Sequence, residues 1–273
     1  MRMKVVVWNM ERKAENWDVL SGWTDLADAD ITLLCEAPRP PSGVRAVGHW
    51  STKGLDCRCP GPDCTKKKWS TAVVSPPRHS LEKIRNARVD RYYKKPLPFE
   101  PSRPGTWTAR LVDIHGVNVT AISLYGLMDE KSDASVHRSL SELSPIFDHE
   151  VYGRLLLLGG DLNILAGRPR RAHLDRHQVV LARIRAYGLI DCLEAMRPPG
   201  VLDGCPCGQS EECSHTWTYR SRRRDRSHIR YQDDYLFASP ALAEDDRLLS
   251  CYALPFNDES PSDHAPIVGT FEV

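Results

Sequence analysis

Short apolar runs along the chain alternate with segments whose apolar residues recur at helical spacing. The Val-rich residues 3–8 and the apolar residues 31–35 each predict a short buried strand. Between them, residues 15–27 place Trp17 and Leu20 at helical intervals, which predicts a helix. The first part of the chain therefore indicates strands and helices in alternation.

The rest of the chain continues this alternation. Further strands are predicted over residues 71–74, 106–114, 117–124, 154–158, 234–238 and 266–272, and further helices over residues 133–149 and 174–187. His115-Gly116 predicts a tight hairpin turn, and Gly188 predicts a helix C-cap. Residues 36–68 and 86–105 predict elaborated loops, the second because its four prolines do not fit a sheet ladder. Together these elements predict an α/β sandwich with mixed sheets.

Composition and charge exclude several classes of protein. The chain has 273 residues, with 37 Lys and Arg against 36 Asp and Glu and a formal net charge of +1, so it is not a globally basic nucleic-acid coat. No apolar run approaches the ~18 residues that a transmembrane helix needs. The first residues make a poor signal peptide, so we expect a cytoplasmic location. In the absence of repeats or long linkers, we predict one domain over residues 1–273.

Polar residues stand repeatedly where the predicted buried strands stop. These residues are Asn9, Glu11, Glu36, Tyr125, Asp161, Asn163, Asp263 and His264. Ends of strands in a rigid scaffold commonly present catalytic groups. Four carboxylates meeting at one place would repel each other, and a bound divalent cation would relieve that repulsion. Since the ligands are mainly hard oxygen atoms, Mg²⁺ or Mn²⁺ is favoured over Zn²⁺.

Five motifs, in this order, resemble those of a known enzyme superfamily. They are Trp8-Asn9-x-Glu11, Leu34-Cys35-Glu36, Gly160-Asp161-Leu162-Asn163, Asp234-Tyr235-Leu236-Phe237 and Ser262-Asp263-His264. The set resembles the endonuclease/exonuclease/phosphatase superfamily, which has the deoxyribonuclease I-like fold and includes exonuclease III and the abasic-site endonucleases. The resemblance covers nearly the whole chain. It implies a four-layer α/β/β/α sandwich of two mixed sheets and a metal-dependent phosphodiesterase activity.

The resemblance also implies a metal site. Glu36 would be the principal ligand of Mg²⁺ or Mn²⁺. Asn9 and Glu11 would complete or support the site, with Asp263 nearby. The metal would neutralise charge that builds up on the phosphate in the transition state.

The remaining motif residues are expected to activate water and to bind phosphate. Asp161 would orient or deprotonate the attacking water, and Asn163 would hold the nucleophile or a phosphate oxygen. His264 would donate a hydrogen bond to the phosphate, and Asp234 would position His264 and favour its protonated form. Strand alternation would place only one of Asp233 and Asp234 on the active face, and the motif selects Asp234.

Two positions depart from the pattern of many superfamily members. Cys35 stands where a Gln commonly precedes the metal-ligating Glu, which removes one expected hydrogen bond near the metal. Tyr125 stands where many members have a His. A tyrosine there resembles the abasic-site endonuclease branch, in which the phenol can contact the phosphate or assist the leaving group; a plain aromatic at the edge of the core is the alternative.

Cationic segments suggest the class of substrate. Residues 220–230 hold six arginines, and from this run Arg222, Arg223 and Arg224, together with Trp217, are predicted to bind substrate. Residues 66–69 and 91–95 mix cations with aromatic residues, as surfaces that follow a nucleic-acid backbone do. A nuclease acting on nucleic acid, with DNA favoured over RNA, no membrane partner and a monomeric chain, is the leading hypothesis. A phosphatase or phospholipid phosphodiesterase of the same fold and a catalytically silent interaction module are the alternatives.

Six of the nine cysteines fall in two predicted loop insertions, near residues 55–66 and 203–215. They are Cys57, Cys59 and Cys64 in the first and Cys205, Cys207 and Cys213 in the second, with His215 close by. Structural Zn²⁺, loop-stapling disulfides and free thiols are all open for these clusters. The other three, Cys35, Cys192 and Cys251, are predicted to lie in the core.

Overall fold

The computed structural model describes residues 1–48, 69–84, 99–128, 131–166, 174–197, 215–222, 230–255 and 260–273. Its strands are β1 (Arg2–Asn9), β2 (Ile31–Pro38), β3 (Ala46–Gly48), β4 (Trp69–Val74), β5 (Ser80–Lys83), β6 (Trp107–Ile114), β7 (Val117–Leu124), β8 (Leu156–Ala166), β9 (Ile190–Asp191), β10 (Tyr219–Arg220), β11 (Arg230–Ala238), β12 (Leu248–Ala253) and β13 (Ile267–Glu272). Its helices are α1 (Asn16–Gly22), α2 (Thr24–Ala27), α3 (Ser132–Phe147), α4 (Leu174–Ala186), α5 (Cys192–Met196) and α6 (Pro240–Ala243).

The strands form two mixed sheets. Sheet A has the order β12-β13-β1-β2-β4-β3, and sheet B has the order β10-β11-β8-β7-β6-β5, with β9 paired to β11. One pair in each sheet is parallel, β1 with β2 and β7 with β8. The pairings that surround these are antiparallel. Mixed sheets of this kind confirm the predicted fold class.

Three apolar clusters separate four layers. The central cluster joins side chains of both sheets, such as Val7 and Leu33 from sheet A with Leu157 and Leu236 from sheet B. A second cluster lies between sheet B and helices α3 and α4, and a third lies between sheet A and helices α1 and α2. The order of layers is therefore helix, sheet, sheet, helix. Burial of these apolar faces drives the assembly.

Most predicted elements are present, with some differences at their ends. The hairpin turn is confirmed, with φ 52° at His115 and 88° at Gly116, and Gly188 follows α4 with φ 80°. The single helix predicted over residues 15–27 is wrong, because the chain adopts extended dihedrals at Trp23 and divides into α1 and α2. The loop predicted over residues 36–68 begins too early, since β2 continues to Pro38 and β3 follows.

Three cysteines lie where the sequence predicts them. Cys35, Cys192 and Cys251 are buried and have free thiols. The six clustered cysteines lie outside the described residues. Among the helices that the structure describes, we find none long and apolar enough to cross a bilayer.

Candidate active site

Asp161 lies at the centre of a buried polar cluster in β8. Asn9, the last residue of β1, donates from Nδ2 to Asp161 Oδ2 over 2.8 Å and so joins sheet A to sheet B. Asn163 donates to the same carboxylate twice, from its backbone N–H at 2.8 Å and from Nδ2 at 3.2 Å. The Asp161 side chain is therefore fixed from both sheets while one face of it stays directed at His264, whose Nε2 is 3.9 Å away.

His264 is held on its other side by Asp234. Its Nδ1 lies 2.7 Å from Asp234 Oδ2, and both side chains are buried. The antiparallel register of β11 and β8 places Asp234 directly opposite Asp161, so the two carboxylates share one face of sheet B. The three side chains form a buried row in the order Asp234, His264, Asp161.

Asp233 also lies close to His264, contrary to the expected alternation. Its Oδ1 is 3.9 Å from His264 Nδ1. The register of β11 against β8 is irregular between Gln232 and Asp234, and such a bulge turns two successive side chains toward one side. The backbone N–H groups of Asp233 and Asp234 both donate to Thr218 Oγ1, at 3.1 and 3.0 Å, which fixes the bulge.

Backbone contacts bring the last motif to this place. Ser262 Oγ donates to the Asn9 carbonyl over 2.8 Å and accepts the backbone N–H of His264 over 3.1 Å. The Trp8 indole donates to the His264 carbonyl over 3.1 Å. The end of β1 and the segment before β13 are therefore tied together around the imidazole.

The buried charges shift each other's ionisation. Burial, with the carboxylates Asp234 and Glu36, raises the pKa of Asp161 to about 7, although His264 acts in the opposite direction. Burial lowers the pKa of His264, but Asp234 and Asp161 outweigh it and raise that pKa well above the usual value. Burial and the same two carboxylates raise the pKa of Asp233 well above its normal range. His264 is thus an imidazolium at neutral pH, placed between carboxylates.

Glu36 is engaged by protein donors on both of its carboxylate oxygens. Arg12 donates from Nε to Oε2 over 2.7 Å and from Nη2 to Oε1 over 3.1 Å. The Tyr125 hydroxyl donates to Oε1 over 2.6 Å. Glu36 has φ 47°, at an irregularity in the pairing of β2 with β4, and this unusual backbone turns its side chain away from the regular strand pattern. The expectation that Glu36 comes after the strand is wrong, since it lies inside β2.

Glu11 and Asp263 form the other acidic side of the cleft. Glu11 Oε2 accepts the backbone N–H of Asp263 over 3.1 Å and pairs with Lys13 Nζ at 2.9 Å. Arg222 Nη1 lies 3.5 Å from the same oxygen. Burial, together with Glu11 and Glu36, raises the pKa of Asp263 against the opposing effect of His264. Glu11, Glu36 and Asp263 are therefore close enough to influence one another's charge.

The donor set fits a hard divalent cation. Carboxylates predominate, and the raised pKa values of Asp161 and Asp263 show an excess of negative charge that a cation would offset. Among the described residues, the ligand atoms that lie within 4.8 Å of one another belong to Asp161, Asp234 and His264. His264 is protonated in that group and cannot ligate a metal, so Glu36 with Glu11 and Asp263 is the better acidic set.

Cys35 and Asn163 have backbone-supporting roles at the site. Cys35 Sγ accepts the backbone N–H of Asp161 over 3.3 Å and donates to the Leu124 carbonyl over 3.3 Å. Asn163 has φ 50°, and its Nδ2 donates to the Gly126 carbonyl over 2.9 Å. The cysteine thus holds the Asp161 backbone where many superfamily members have a glutamine.

The predicted substrate-binding residues are only partly described. Arg222 is exposed on the rim, with its Nη2 2.5 Å from the Ser260 carbonyl, and Trp217 is half-buried just before β10. Arg223, Arg224, residues 66–68 and residues 91–95 lie outside the described residues, as do both cysteine clusters. His215 is half-buried, and burial lowers its pKa.

Sequence reasoning missed Arg12 and Tyr219. Arg12 pairs with Glu36, and Tyr219 packs its ring against His264 with centroids 5.0 Å apart. The position of Arg12 directly after Glu11 was the available signal for the first. The second depends on an isolated bridge between Tyr219 and His264, which no local pattern indicates.

Solved structures with this fold match the chain over its whole length. An endonuclease/exonuclease/phosphatase from Bacteroides vulgatus has a TM-score of 0.61 at 14% identity, covering 100% of this chain and 99% of that one. The 3′ phosphatase NExo from Neisseria, bound to a product DNA hairpin, has a TM-score of 0.59 at 19% identity, covering 99% and 100%. An AP endonuclease from Archaeoglobus fulgidus has a TM-score of 0.58 at 17% identity, covering 99% and 100%.

The chain therefore has the deoxyribonuclease I-like fold of the endonuclease/exonuclease/phosphatase superfamily, as the five motifs predict. No protein-family profile and no curated protein matches the sequence.

Proposed function

We propose that the protein is a divalent-metal-dependent phosphodiesterase that hydrolyses nucleic acid. The observation that carries this proposal is the buried row of Asp234, His264 and Asp161, which is joined to Asn9 of the other sheet. A row of this kind places an acceptor for a water proton beside a cationic hydrogen-bond donor. Phosphoester hydrolysis needs both at one phosphorus.

The side chains can divide the work of an in-line displacement. Asp161 accepts a proton from the attacking water as the new phosphorus–oxygen bond forms and the bond to the leaving oxygen breaks. Asn163 holds the water or a phosphate oxygen, and His264 donates a hydrogen bond to a non-bridging oxygen. Asp234 keeps the imidazolium oriented and charged.

Glu36, with Glu11 and Asp263, would hold the cation. A bound Mg²⁺ or Mn²⁺ would supply Lewis-acid stabilisation of phosphate charge. Tyr125 donates to Glu36 and so positions that carboxylate, rather than facing the cleft as an independent acid. We assign it a positioning role.

DNA is the favoured substrate. Arg222 lies on the rim beside Glu11, and its guanidinium suits contact with phosphate oxygens. The resemblance to abasic-site endonucleases points in the same direction, and an AP endonuclease and a phosphatase bound to a DNA hairpin share this fold. A phosphomonoesterase acting on nucleic-acid ends is the second candidate, since NExo, which has the same fold, is a 3′ phosphatase.

Substrate panels test the proposal directly. Purified protein is incubated with plasmid, abasic duplex, RNA and a phosphomonoester, each with Mg²⁺ and with EDTA. We expect Mg²⁺-dependent cleavage of DNA that Asp161→Asn reduces by at least about 10²-fold, the usual contribution of a general base. Asp191→Asn is the matched control, because Asp191 is equally buried, also has a pKa raised to about 7 by burial, and caps α5 away from the cleft. Equal activity of both variants would refute the assignment.

A further inference from the structure

Arg12 occupies the carboxylate that the proposed mechanism needs for its metal. The guanidinium contacts both oxygens of Glu36 in a two-pronged arrangement, at 2.7 and 3.1 Å. This geometry is the strong form of an ion pair. Since the Tyr125 hydroxyl also reaches Oε1, a cation that binds Glu36 has to take an oxygen from an existing donor.

The local backbone and an aromatic ring hold Arg12 in this position. Arg12 has φ 61°, and its N–H donates to the Glu36 carbonyl over 3.1 Å. A non-glycine residue in the left-handed region is uncommon, and such strain gathers at functional sites. The guanidinium lies over the ring of Trp69, 4.7 Å from its centroid, and Trp69 packs edge-on against Tyr125. The pair is therefore built by the fold.

The two partners differ in exposure. The Arg12 side chain is 44% exposed, whereas that of Glu36 is 13% exposed. The arginine can therefore leave toward solvent while the carboxylate stays in place. An ion pair with one exposed partner is weak enough for a divalent cation to displace.

We propose that Arg12 is an internal competitor for the divalent cation at Glu36, and that it sets the metal concentration at which the site fills. This inference rests on the proposed function, because it takes Glu36 as the metal ligand. In the metal-free protein Arg12 neutralises Glu36. On metal binding the guanidinium gives up the carboxylate, so part of the binding free energy is used to break the pair.

Manganese binding to the full chain tests this inference without any turnover. Free Mn²⁺ is followed by electron paramagnetic resonance for the wild type, Arg12→Ala and Arg78→Ala. Arg78 is the matched control, since it is 52% exposed and pairs with Asp30 at 2.8 Å, just before the other end of β2. We expect Arg12→Ala to bind Mn²⁺ more tightly by on the order of fivefold, and Arg78→Ala to match the wild type.

A second variant separates competition from general charge. Arg12→Lys keeps the charge but loses the two-pronged contact, so its Mn²⁺ affinity is expected between those of the wild type and Arg12→Ala. Circular dichroism in EDTA checks that each variant is folded. Unchanged or weaker binding in Arg12→Ala, or equal tightening in Arg78→Ala, overturns the role of Arg12 alone. If neither the wild type nor Arg12→Ala binds Mn²⁺, the metal site and the proposed function fail with it.

Discussion

Asp161 and His264 act on each other through opposite effects of the same burial. Burial penalises the charge on each, yet each is the other's counter-ion, at 3.9 Å. The pKa of Asp161 is raised to about 7, and that of His264 is raised well above normal. At neutral pH a substantial fraction of Asp161 is therefore ionised while His264 keeps its proton, which is the combination that hydrolysis requires.

Replacing Asp234 should change the pH dependence as well as the rate. Asp234→Asn removes the charge that most strongly raises the pKa of His264, so His264 loses its proton at lower pH. We expect the alkaline limb of the pH–rate profile to move to lower pH and the rate at pH 8 to fall by about 10²-fold or more. NMR titration of His264 in EDTA measures the pKa directly. A profile that only falls in height would contradict this role for Asp234.

The roles of single residues were predictable where a motif names them, and not elsewhere. The motifs place Asp161, Asn9 and His264 in sequence, and the structure brings them within contact distance. Arg12 follows no periodic pattern, and its contact with Glu36 depends on left-handed dihedrals at both residues. Such dihedrals depend on tertiary contacts that a sequence pattern does not contain.

At the scale of the element, irregularities in strands shape the site. β2 is irregular between Leu34 and Ala37, and β11 is irregular between Gln232 and Asp234. Each irregularity redirects an acidic side chain toward the cleft. The sequence predicted the regular parts of both strands, because hydrophobic runs determine them. It placed the polar motifs after the strands, whereas β2 and β8 continue through Glu36 and Asn163.

Gly160 is the strand position at which a side chain cannot be accommodated. It has φ 146°, and a Cβ there would lie 2.0 Å from the Leu124 carbonyl oxygen and 2.8 Å from Cys35 Sγ. We expect Gly160→Ala to lower the free energy of unfolding by about 3 kcal/mol or more, through strain and a backbone clash. Urea denaturation measures this value.

Gly22→Ala supplies the comparison for that experiment. No atom lies within 4 Å of a Cβ built on Gly22, which ends α1. Its free energy of unfolding should stay the same or rise by up to about 1 kcal/mol. A Gly160→Ala protein as stable as Gly22→Ala would show that β8 can shift away from β7.

At the scale of the molecule, the two sheets share one core and one site. Val7 and Leu33 of sheet A face Gly159 of sheet B so closely that a Cβ on the glycine would lie 2.7 Å from Val7 Cγ2. The layered packing was predictable from the alternation of elements. The close approach of the sheets was not, because it depends on a glycine whose neighbours come from other strands.

Buried acids should make the whole fold less stable as pH rises. Burial raises the pKa of Asp191 to about 7 against a reference of 3.8, so the folded state holds a proton that the unfolded chain releases. Stability from this group is present below pH 3.8 and is lost as pH rises through about 7. Asn at this position keeps an oxygen for the N–H groups of Leu193 and Glu194 but does not ionise.

Asp191→Asn should therefore gain stability over the wild type as pH rises. The difference between their free energies of unfolding is expected to grow between pH 4.5 and pH 8 by up to about 4 kcal/mol, the equivalent of roughly three pKa units. Urea denaturation at the two pH values measures it. A difference that is the same at both would mean that Asp191 is ionised throughout.

The position of β13 between β1 and β12 has a consequence for biosynthesis. Arg2 in the first strand lies opposite Glu272 in this late strand, and His264 comes shortly before it. A ribosome-bound chain that has not yet extruded these residues has Asp161 but lacks its imidazole partner. Emerging polypeptide is thereby kept inert, and any nuclease activity begins only after β13 has been translated.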